Sequence, residues 1–329
     1  MLKLMIFLLL CLSVPISAQQ SSSQPVIQSR AAIVVDGETG RVLWAKNVHD
    51  RRSPASLTKM LSALLVLKNS GGQELVTVSR QASRMTGSSV GLLPDERVSV
   101  QNMLLGMFYR SGNDAAVALA EHVGGSVEGF ARLMNAKAQS VGMTNSRFAN
   151  PHGLDEAKHY STAYDLALLT RVVLQNPSFA QMARGNYVKV RWGDEMRDLW
   201  NINSFLWRYN GATGVKTGYT SRAGYCLAAS TQQGNTTLIL VLLGAQTSNQ
   251  RWNDAIRVLD YAFANYQVLK DEGMPAIASP SEDGVHVVEA GETLWDIAQL
   301  YDCSINTIVE INGLRDPNLI RSGQALQVP

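Results

Sequence analysis

Ser56-Leu57-Thr58-Lys59 sets a hydroxyl and an amine three residues apart, after Ser53-Pro54-Ala55 and before the apolar run Met60-Leu61-Ser62-Ala63-Leu64-Leu65. A loop-to-helix transition just before Ser56 places both side chains on one helix face, about one turn apart. An uncharged Lys59 amine could then take the Ser56 proton. The helix start also offers backbone N–H donors and a positive dipole end to a developing oxyanion. Alone, the pair reads as a helix-capping Ser followed by a solvated lysine. Ser111-Gly112-Asn113 lies at a break between two helical stretches and alone reads as a turn with a capping Ser or Asn. Lys216-Thr217-Gly218, flanked by Gly211, Gly214 and Gly224, alone reads as a surface strand ending at a turn. Ser304-Ile305-Asn306 repeats the second triplet and reads as a helix start.

These groups can act together only if the intervening elements bring them to one place. Ala31-Ala32-Ile33-Val34-Val35 and Arg41-Val42-Leu43-Trp44-Ala45 are strand-like around a Gly-containing loop, a hairpin signal. Helical periods dominate from about Ala55 to Asn176, including 100–109 with Ser99 as its N-cap. Strand signals return at 187–191, 214–217, 224–230 and 237–243. A last amphipathic helix is expected over 253–266, with Ala255, Val258, Leu259, Ala262 and Phe263 on one face. The order predicts an antiparallel sheet flanked by helices, with a helical insertion between its first and later strands. Residues 268–284, with Pro275, Pro280 and Ser-Pro-Ser-Glu-Asp, read as a linker. Residues 285–329 read as a small strand-helix-helix-strand (βααβ) module.

The chain has 329 residues, 46% hydrophobic and 17% charged, too apolar for a disordered chain and long enough for two domains. Net charge is +2, from 29 Lys+Arg against 27 Asp+Glu, which leaves no basic footprint for nucleic acid. Three Cys exclude a disulfide scaffold and a Cys zinc cluster. The five His show no zinc spacing. No metal and no organic cofactor is expected, and nothing in the sequence sets an oligomeric state.

Met1-Leu2-Lys3, the apolar stretch 4–12 and the small residues of 13–18 read as a secretory signal peptide cleaved after about Ala18. A lipoprotein signal at Cys11 and an uncleaved anchor are the alternatives. Leu10 is bulkier than the small residue that usually precedes a lipidated cysteine. The Ser/Gln-rich 19–28 read as a flexible leader, leaving 29–267 as the catalytic unit. The expected destination is outside the cytoplasm, in the periplasm or the cell wall. Cleavage would leave Cys226 and Cys303, in separate units, as free and mostly buried thiols.

Ser-x-x-Lys, Ser-x-Asn and Lys-Thr-Gly occur in one order, each in the local structure it needs. The set is similar to that of class A β-lactamases and penicillin-binding proteins. Longer stretches sharpen the likeness: Ala55 to Met60, Arg110-Ser111-Gly112-Asn113-Asp114-Ala115-Ala116, Phe148-Ala149-Asn150-Pro151-His152-Gly153-Leu154-Asp155, His159 to Ala167, and Gly214-Val215-Lys216-Thr217-Gly218-Tyr219-Thr220. From about Ala31 to Tyr266 the chain resembles the low-molecular-mass penicillin-binding proteins, the serine-type D-Ala-D-Ala carboxypeptidases. The resemblance implies a β-lactamase/DD-peptidase-like α/β fold. It implies Ser56 as nucleophile, Lys59 as general base, Ser111 as proton relay to the departing amine, and Asn113 as a holder of the substrate amide. Burial and Lys216 would lower the Lys59 pKa. Lys216, Thr217 and Gly218 would line the opposite wall. The backbone N–H groups of Ser56 and Tyr219 would form the oxyanion hole, and Arg251 would bind the terminal carboxylate. A solvated charge before a helix is the alternative for Arg251.

Gly112 stands where class A β-lactamases carry Asp, and no Glu-x-x-x-Asn loop supplies a deacylating water. β-Lactams are therefore expected as slowly released covalent inhibitors. The C-terminal module resembles LysM through His286 to Ala298, Ile311-Asn312-Gly313-Leu314 and the stretch 319–326. LysM implies binding to N-acetylglucosamine-containing glycan. Trp295 is expected in that module's core, and the loops at 291–293 and 312–314 are the binding candidates. The leading expectation is a carboxypeptidase trimming the terminal D-Ala of peptidoglycan stem peptides while LysM holds the glycan strand. A DD-endopeptidase or β-lactamase on the same fold, and a catalytically silent wall-binding protein, are the alternatives.

Overall fold

Ala31-Ala32-Ile33-Val34-Val35 is apolar at every position, and such a strand must be covered on both faces. In the computed structural model it is the strand β1 (Ala31–Asp36), buried throughout. Residues 24–328 are described, apart from 194, 273, 278–284, 289–291, 302, 315, 317 and 318. The expected signal peptide with Cys11, residues 19–23 of the leader, and Gly291 lie outside the described residues.

β1 pairs antiparallel with β2 (Arg41–Lys46) and with β5 (Thr236–Ala245). β3 (Ala212–Thr220) and β4 (Gly224–Gln233) continue the sheet beyond β5, and β6 (Met274–Ala276) adds to β2. The order is β6-β2-β1-β5-β4-β3, with every pairing antiparallel. The first strand thus sits between the second and the fifth, so the sheet closes only after the helical insertion has been made.

The period of two divides the sheet between two cores. Ile33, Val35, Val241 and Leu243 face the insertion. Ala32, Val34, Leu240 and Leu242 face α7 (Ser248–Ala264) through Trp252, Ala255, Val258 and Leu259. The insertion is built from α1 (Lys59–Asn69), α2 (Val100–Tyr109), α3 (Asn113–Gly124), α4 (Val127–Ser140), α5 (Ala163–Gln175) and α6 (Pro177–Arg184). Residues Lys59 to Val66 of α1 are all buried, as for a helix surrounded by others. Ser99 caps α2 by accepting from Asn102 N, as its sequence position predicts.

Four readings outside the C-terminal module change. α7 begins at Ser248 because Thr247 accepts from Gln250 N, and its first turns bury Arg251 and Asp254 against the sheet. Polar residues on a buried face hid that start. The described part of the leader, 24–28, is docked: Ile27 is buried, and Asp254 accepts from Gln28 N at 3.2 Å, Ser29 N at 2.8 Å and Ser29 Oγ at 2.6 Å. The linker reading placed 268–276 outside the fold, yet a helix Tyr266–Glu272 and β6 lie there. Ile277 N donates to Gly40 O at 2.9 Å, so a sheet edge orders residues that carry no strand pattern of their own. Tyr187–Trp192 pairs with Glu195–Trp200, a partner missed because its charged, two-sided exposure has no apolar period.

In the C-terminal module Val285–Val287 pairs antiparallel with Ala325–Gln327 around helices Leu294–Leu300 and Ile305–Asn312. Val288, Leu294, Ile297, Tyr301, Ile308 and Leu326 form its core. Trp295 does not join them and is 61% exposed. Its neighbours Leu294, Ile297 and Ala298 already fill the inward stripe of a short helix, which turns position 295 outward. Among the described residues no helix is long and apolar enough to cross a membrane.

Candidate active site

Ser56 lies in a 3-10 turn, Ala55–Thr58, that feeds directly into α1. Ala55 has a φ of 49°, which bends the chain into that turn. Two glycines let other segments close on it. A Cβ on Gly153 would stand 1.9 Å from Ala55 O, and one on Gly218 would stand 2.9 Å from Ser56 N. At Gly218, β3 therefore lies in backbone contact with the turn that carries Ser56.

Lys59 is fully buried, and its Nζ lies 3.0 Å from Ser56 Oγ, 2.8 Å from Asn113 Oδ1 and 2.7 Å from His152 O. Burial, reinforced by the charge of Lys216, holds its pKa well below the usual lysine value. An uncharged amine has two N–H bonds and one lone pair. Asn113 Oδ1 and His152 O can accept only N–H, so the lone pair is left for the Ser56 hydroxyl.

Asn113 opens α3 and is itself held at three atoms. Its N donates to Ser88 O at 2.7 Å, and its Nδ2 donates to Thr86 O at 2.7 Å. The amide orientation is thereby set, with Oδ1 toward Lys59. The next residue, Asp114, gathers the loop that supplies these partners, accepting from Ser89 Oγ and from the N–H groups of Val90, Gly91 and Leu92. Ser111 sits in the break between α2 and α3 with a φ of 57°. A left-handed serine of this kind is strained and is held by its surroundings, a pattern common at working sites.

Lys216 Nζ donates to Ser111 Oγ at 3.1 Å and to Thr217 O at 3.1 Å. Burial, with Arg251 nearby, pushes its pKa down to about 7. Thr217 is buried on the same strand, whereas the Tyr219 side chain is 55% exposed and lies against Tyr225. Arg251 is buried, not solvated. Its Nη1 donates to Cys226 O at 3.3 Å, its guanidinium stacks 3.8 Å from the Trp252 ring, and its Nε has no hydrogen-bond partner. Cys226 pairs with Gly218 across β3 and β4, so Arg251 stands behind the Lys216-Thr217-Gly218 strand.

The structure thus brings Ser56, Lys59, Ser111, Asn113, Lys216, Thr217 and Gly218 to one place, from the 3-10 turn, α1, the α2–α3 break, the start of α3 and β3. Two contributors have roles that the sequence did not suggest. His152 supplies its carbonyl to Lys59, a backbone role with no side-chain signature. Asp155 Oδ1 accepts from Ser53 Oγ and from Thr220 Oγ1, tying the approach to the Ser56 turn to the end of β3. Its place in the Phe148-to-Asp155 stretch was the available signal. Glu156 accepts from Asn150 Nδ2 at 2.7 Å. His152 and His159 are both buried, with pKa values pushed down to about 3 and about 4, and stand neutral near Lys59. Among the described residues no group of His, Cys, Asp or Glu could hold a metal ion, and Cys226 and Cys303 are free thiols. Cys226 is buried as expected, and Cys303 is half-buried.

Residues 18–247 match the family model described as D-alanyl-D-alanine carboxypeptidase, and residues 286–329 match the LysM domain. The D-alanyl-D-alanine carboxypeptidase DacF of Bacillus subtilis is 38% identical over 75% of this chain and 65% of its own. DacC of Escherichia coli, with the same description, is 36% identical over 80% of this chain and 68% of its own. The chain therefore spans about two thirds of the length of these relatives. The crystal structure of a D-alanyl-D-alanine carboxypeptidase from Mycobacterium tuberculosis superposes with a TM-score of 0.71 at 29% identity, covering 74% of this chain and 94% of the other. A Streptomyces DD-transpeptidase gives a TM-score of 0.71 at 29% identity, covering 74% of this chain and all of the other, 100%.

Proposed function

The chain belongs to the D-alanyl-D-alanine carboxypeptidase family and carries a LysM domain, and from that premise we propose that it is a secreted serine carboxypeptidase of peptidoglycan. It removes the terminal D-Ala of stem peptides through a Ser56 acyl-enzyme, while LysM keeps it on the glycan strand. Tethering of this kind raises local substrate concentration without new contacts at the reacting bond.

The observation that carries the reading is the Lys59 amine, buried, depressed in pKa and offered to Ser56 by two other acceptors. Ser56 Oγ attacks the carbonyl between the two D-Ala residues, and Lys59 takes the hydroxyl proton. The carbonyl oxygen becomes an anion received by the N–H groups of Ser56 and Tyr219. The C–N bond then breaks. Ser111 gives its proton to the departing D-Ala nitrogen and is reprotonated by Lys216 Nζ, 3.1 Å away. Water next attacks the ester and gives a proton through Ser111 to Lys216, which had given one up, while Ser56 Oγ departs with the proton held by Lys59. Thr217 and Arg251 receive the substrate's free carboxylate. Asn113 supports the substrate amide.

β-Lactams would acylate Ser56 by the same attack and leave slowly. Asp155 is committed to Ser53 and Thr220, and Glu156 to Asn150, so neither carboxylate is placed as a free base for deacylating water.

The test is release of free D-Ala from a pentapeptide ending in D-Ala-D-Ala by the mature protein and by Ser56→Ala. Release by the parent alone supports the reading, and release by both means another nucleophile. If neither releases D-Ala, a covalent penicillin adduct on Ser56 would shift the assignment to endopeptidase, and no adduct would favour a silent wall-binder.

A further inference from the structure

A cleft of about 340 Å³ opens beside Ser53, the residue three before the nucleophile, and is lined by Arg51, Arg52, Arg222, His159 and Tyr160. Its lining holds three guanidinium groups and no carboxylate. Arg51 lies 4.9 Å over the Tyr160 ring and donates to Asn145 Oδ1 at 3.0 Å, neither of which neutralises its charge. Arg52 meets Asp50 only at 3.8 Å, and its Nε is buried without an acceptor. Arg222 is exposed and has no acidic partner among the described residues. His159 stands neutral, so the positive charge is that of the arginines.

The cleft also has a direction relative to the reacting groups. Along β3 the order is Lys216 and Thr217, then Gly218 against Ser56, then Tyr219 and Thr220, and then the turn to Ala223, which lines the cleft. In the proposed mechanism the terminal carboxylate lies at Lys216–Thr217 and the scissile carbonyl at Ser56–Tyr219. The residues upstream of that carbonyl then run past Thr220 toward Arg222. At roughly 3.3 Å per extended residue, two or three residues cover the distance from Tyr219 to the turn.

We propose that this cleft is a subsite for a carboxylate carried by the substrate peptide two or three residues upstream of the scissile bond, bound by Arg52 and Arg222 with Arg51 at the rim. The assignment rests on the carboxypeptidase reading for its direction. Guanidinium groups bind carboxylates through paired N–H donors, and a partly enclosed cleft strengthens such pairs over those on open surface. The subsite would select acidic stem peptides over peptides of the same length in which that carboxylate is an amide.

The experiment compares kcat/KM for D-Ala release from two peptides that differ only by upstream carboxylate or amide, in the parent protein, Arg222→Gln and Arg52→Gln. The parent should favour the carboxylate peptide about tenfold, the size of one charged hydrogen-bonded contact. The ratio should fall to near one in each variant. Because it is taken within each protein, partial loss of folded enzyme cancels, and Arg222→Gln alters an exposed side chain. Inorganic phosphate, a free anion, should erase the parent's preference if the cleft takes any anion. A preference that phosphate leaves intact but the variants lose assigns the cleft to the peptide carboxylate alone. A parent ratio near one, or a ratio that survives both substitutions, overturns the proposal. Should the parent release no D-Ala, the carboxypeptidase reading fails separately, and calorimetric binding of the two peptides to Ser56→Ala still decides the cleft: equal affinities overturn it.

Discussion

Gly218 and Ser56 touch through their backbones: a Cβ on Gly218 would come within 2.9 Å of the Ser56 nitrogen and 3.0 Å of the Ala55 Cβ. The atoms in the way are backbone and a short side chain, so neither can swing aside. Gly218→Ala should therefore push β3 from the Ser56 turn by a few tenths of an ångström. Transition-state donors lose effect quickly with misplacement. A fall in kcat/KM of ~10–100-fold is expected with little change in melting temperature, measured by D-Ala release and thermal unfolding. Unchanged kinetics would mean that the contact does not set the oxyanion hole.

The pH dependence of activity should report Lys59. Its pKa is lowered first by burial and second by Lys216. On the acid side kcat/KM should rise with pH as the amine loses its proton. Lys216→Gln removes a positive neighbour, so the Lys59 pKa moves up and the acid limb moves to higher pH. A limb that stays in place in that variant would remove Lys216 from the tuning of the base.

Stability carries a second signature of these amines. The Lys216 pKa is about 7 in the fold against 10.5 as the ordinary value. Between these limits the unfolded chain binds more protons, so unfolding free energy rises with pH across that window. Below pH 7 both states are protonated and the contribution levels off at its least favourable. Urea unfolding of parent and Lys216→Met across pH 6–11 should show a difference curve with this slope. A flat difference would contradict the burial of a depressed amine.

Asp155 acts as a clamp between Ser53 and Thr220, whose neighbours are Pro54-Ala55-Ser56 and Tyr219. Asp155→Ala frees two hydroxyl groups and separates the two walls. Loss of hydrogen bonds to a charged group costs ~1.5–3 kcal/mol each before relaxation, and in a unit of this size that lowers the melting temperature by several degrees. Acylation by a fluorescent penicillin should slow ~10-fold or more, as for a misplaced catalytic group. Asp155→Asn, which keeps an acceptor oxygen, should recover most of the rate. A purely structural role would lower stability and leave the acylation rate of the folded fraction unchanged.

Trp295 is 61% exposed on the LysM module, and an exposed indole is a suitable platform for a sugar ring. Trp295→Ala should weaken retention on insoluble peptidoglycan about tenfold, the effect of losing one aromatic anchor. D-Ala release from a soluble pentapeptide should not change. Equal retention of parent and variant in a pull-down would assign the glycan contact elsewhere on the module.

Local features were legible before any coordinates. Ser56 and Lys59 face each other because three residues is nearly one helical turn, a relationship set by backbone geometry alone. Ser99 capped its helix where a polar residue met an apolar period, and the continuous apolar runs of β1 and β5 marked strands of an antiparallel sheet flanked by helices. Short triplets in a fixed order marked the site. The LysM helices likewise began where the apolar spacing put them.

What only the tertiary structure decided depends on residues far apart in the chain. Lys59 meets Asn113 across 54 positions and His152 across 93, and Lys216 meets Ser111 across 105. Those meetings, with complete burial, hold the Lys59 pKa well below the usual lysine value. Asp155 joining two walls, the docking of 24–28 onto Asp254 and the capture of 274–276 by the sheet edge follow the same rule. Sequence spacing dictates what one turn or one strand presents to its neighbours. Desolvation, charge coupling and edge pairing are properties of the assembled packing, and no local pattern encodes them.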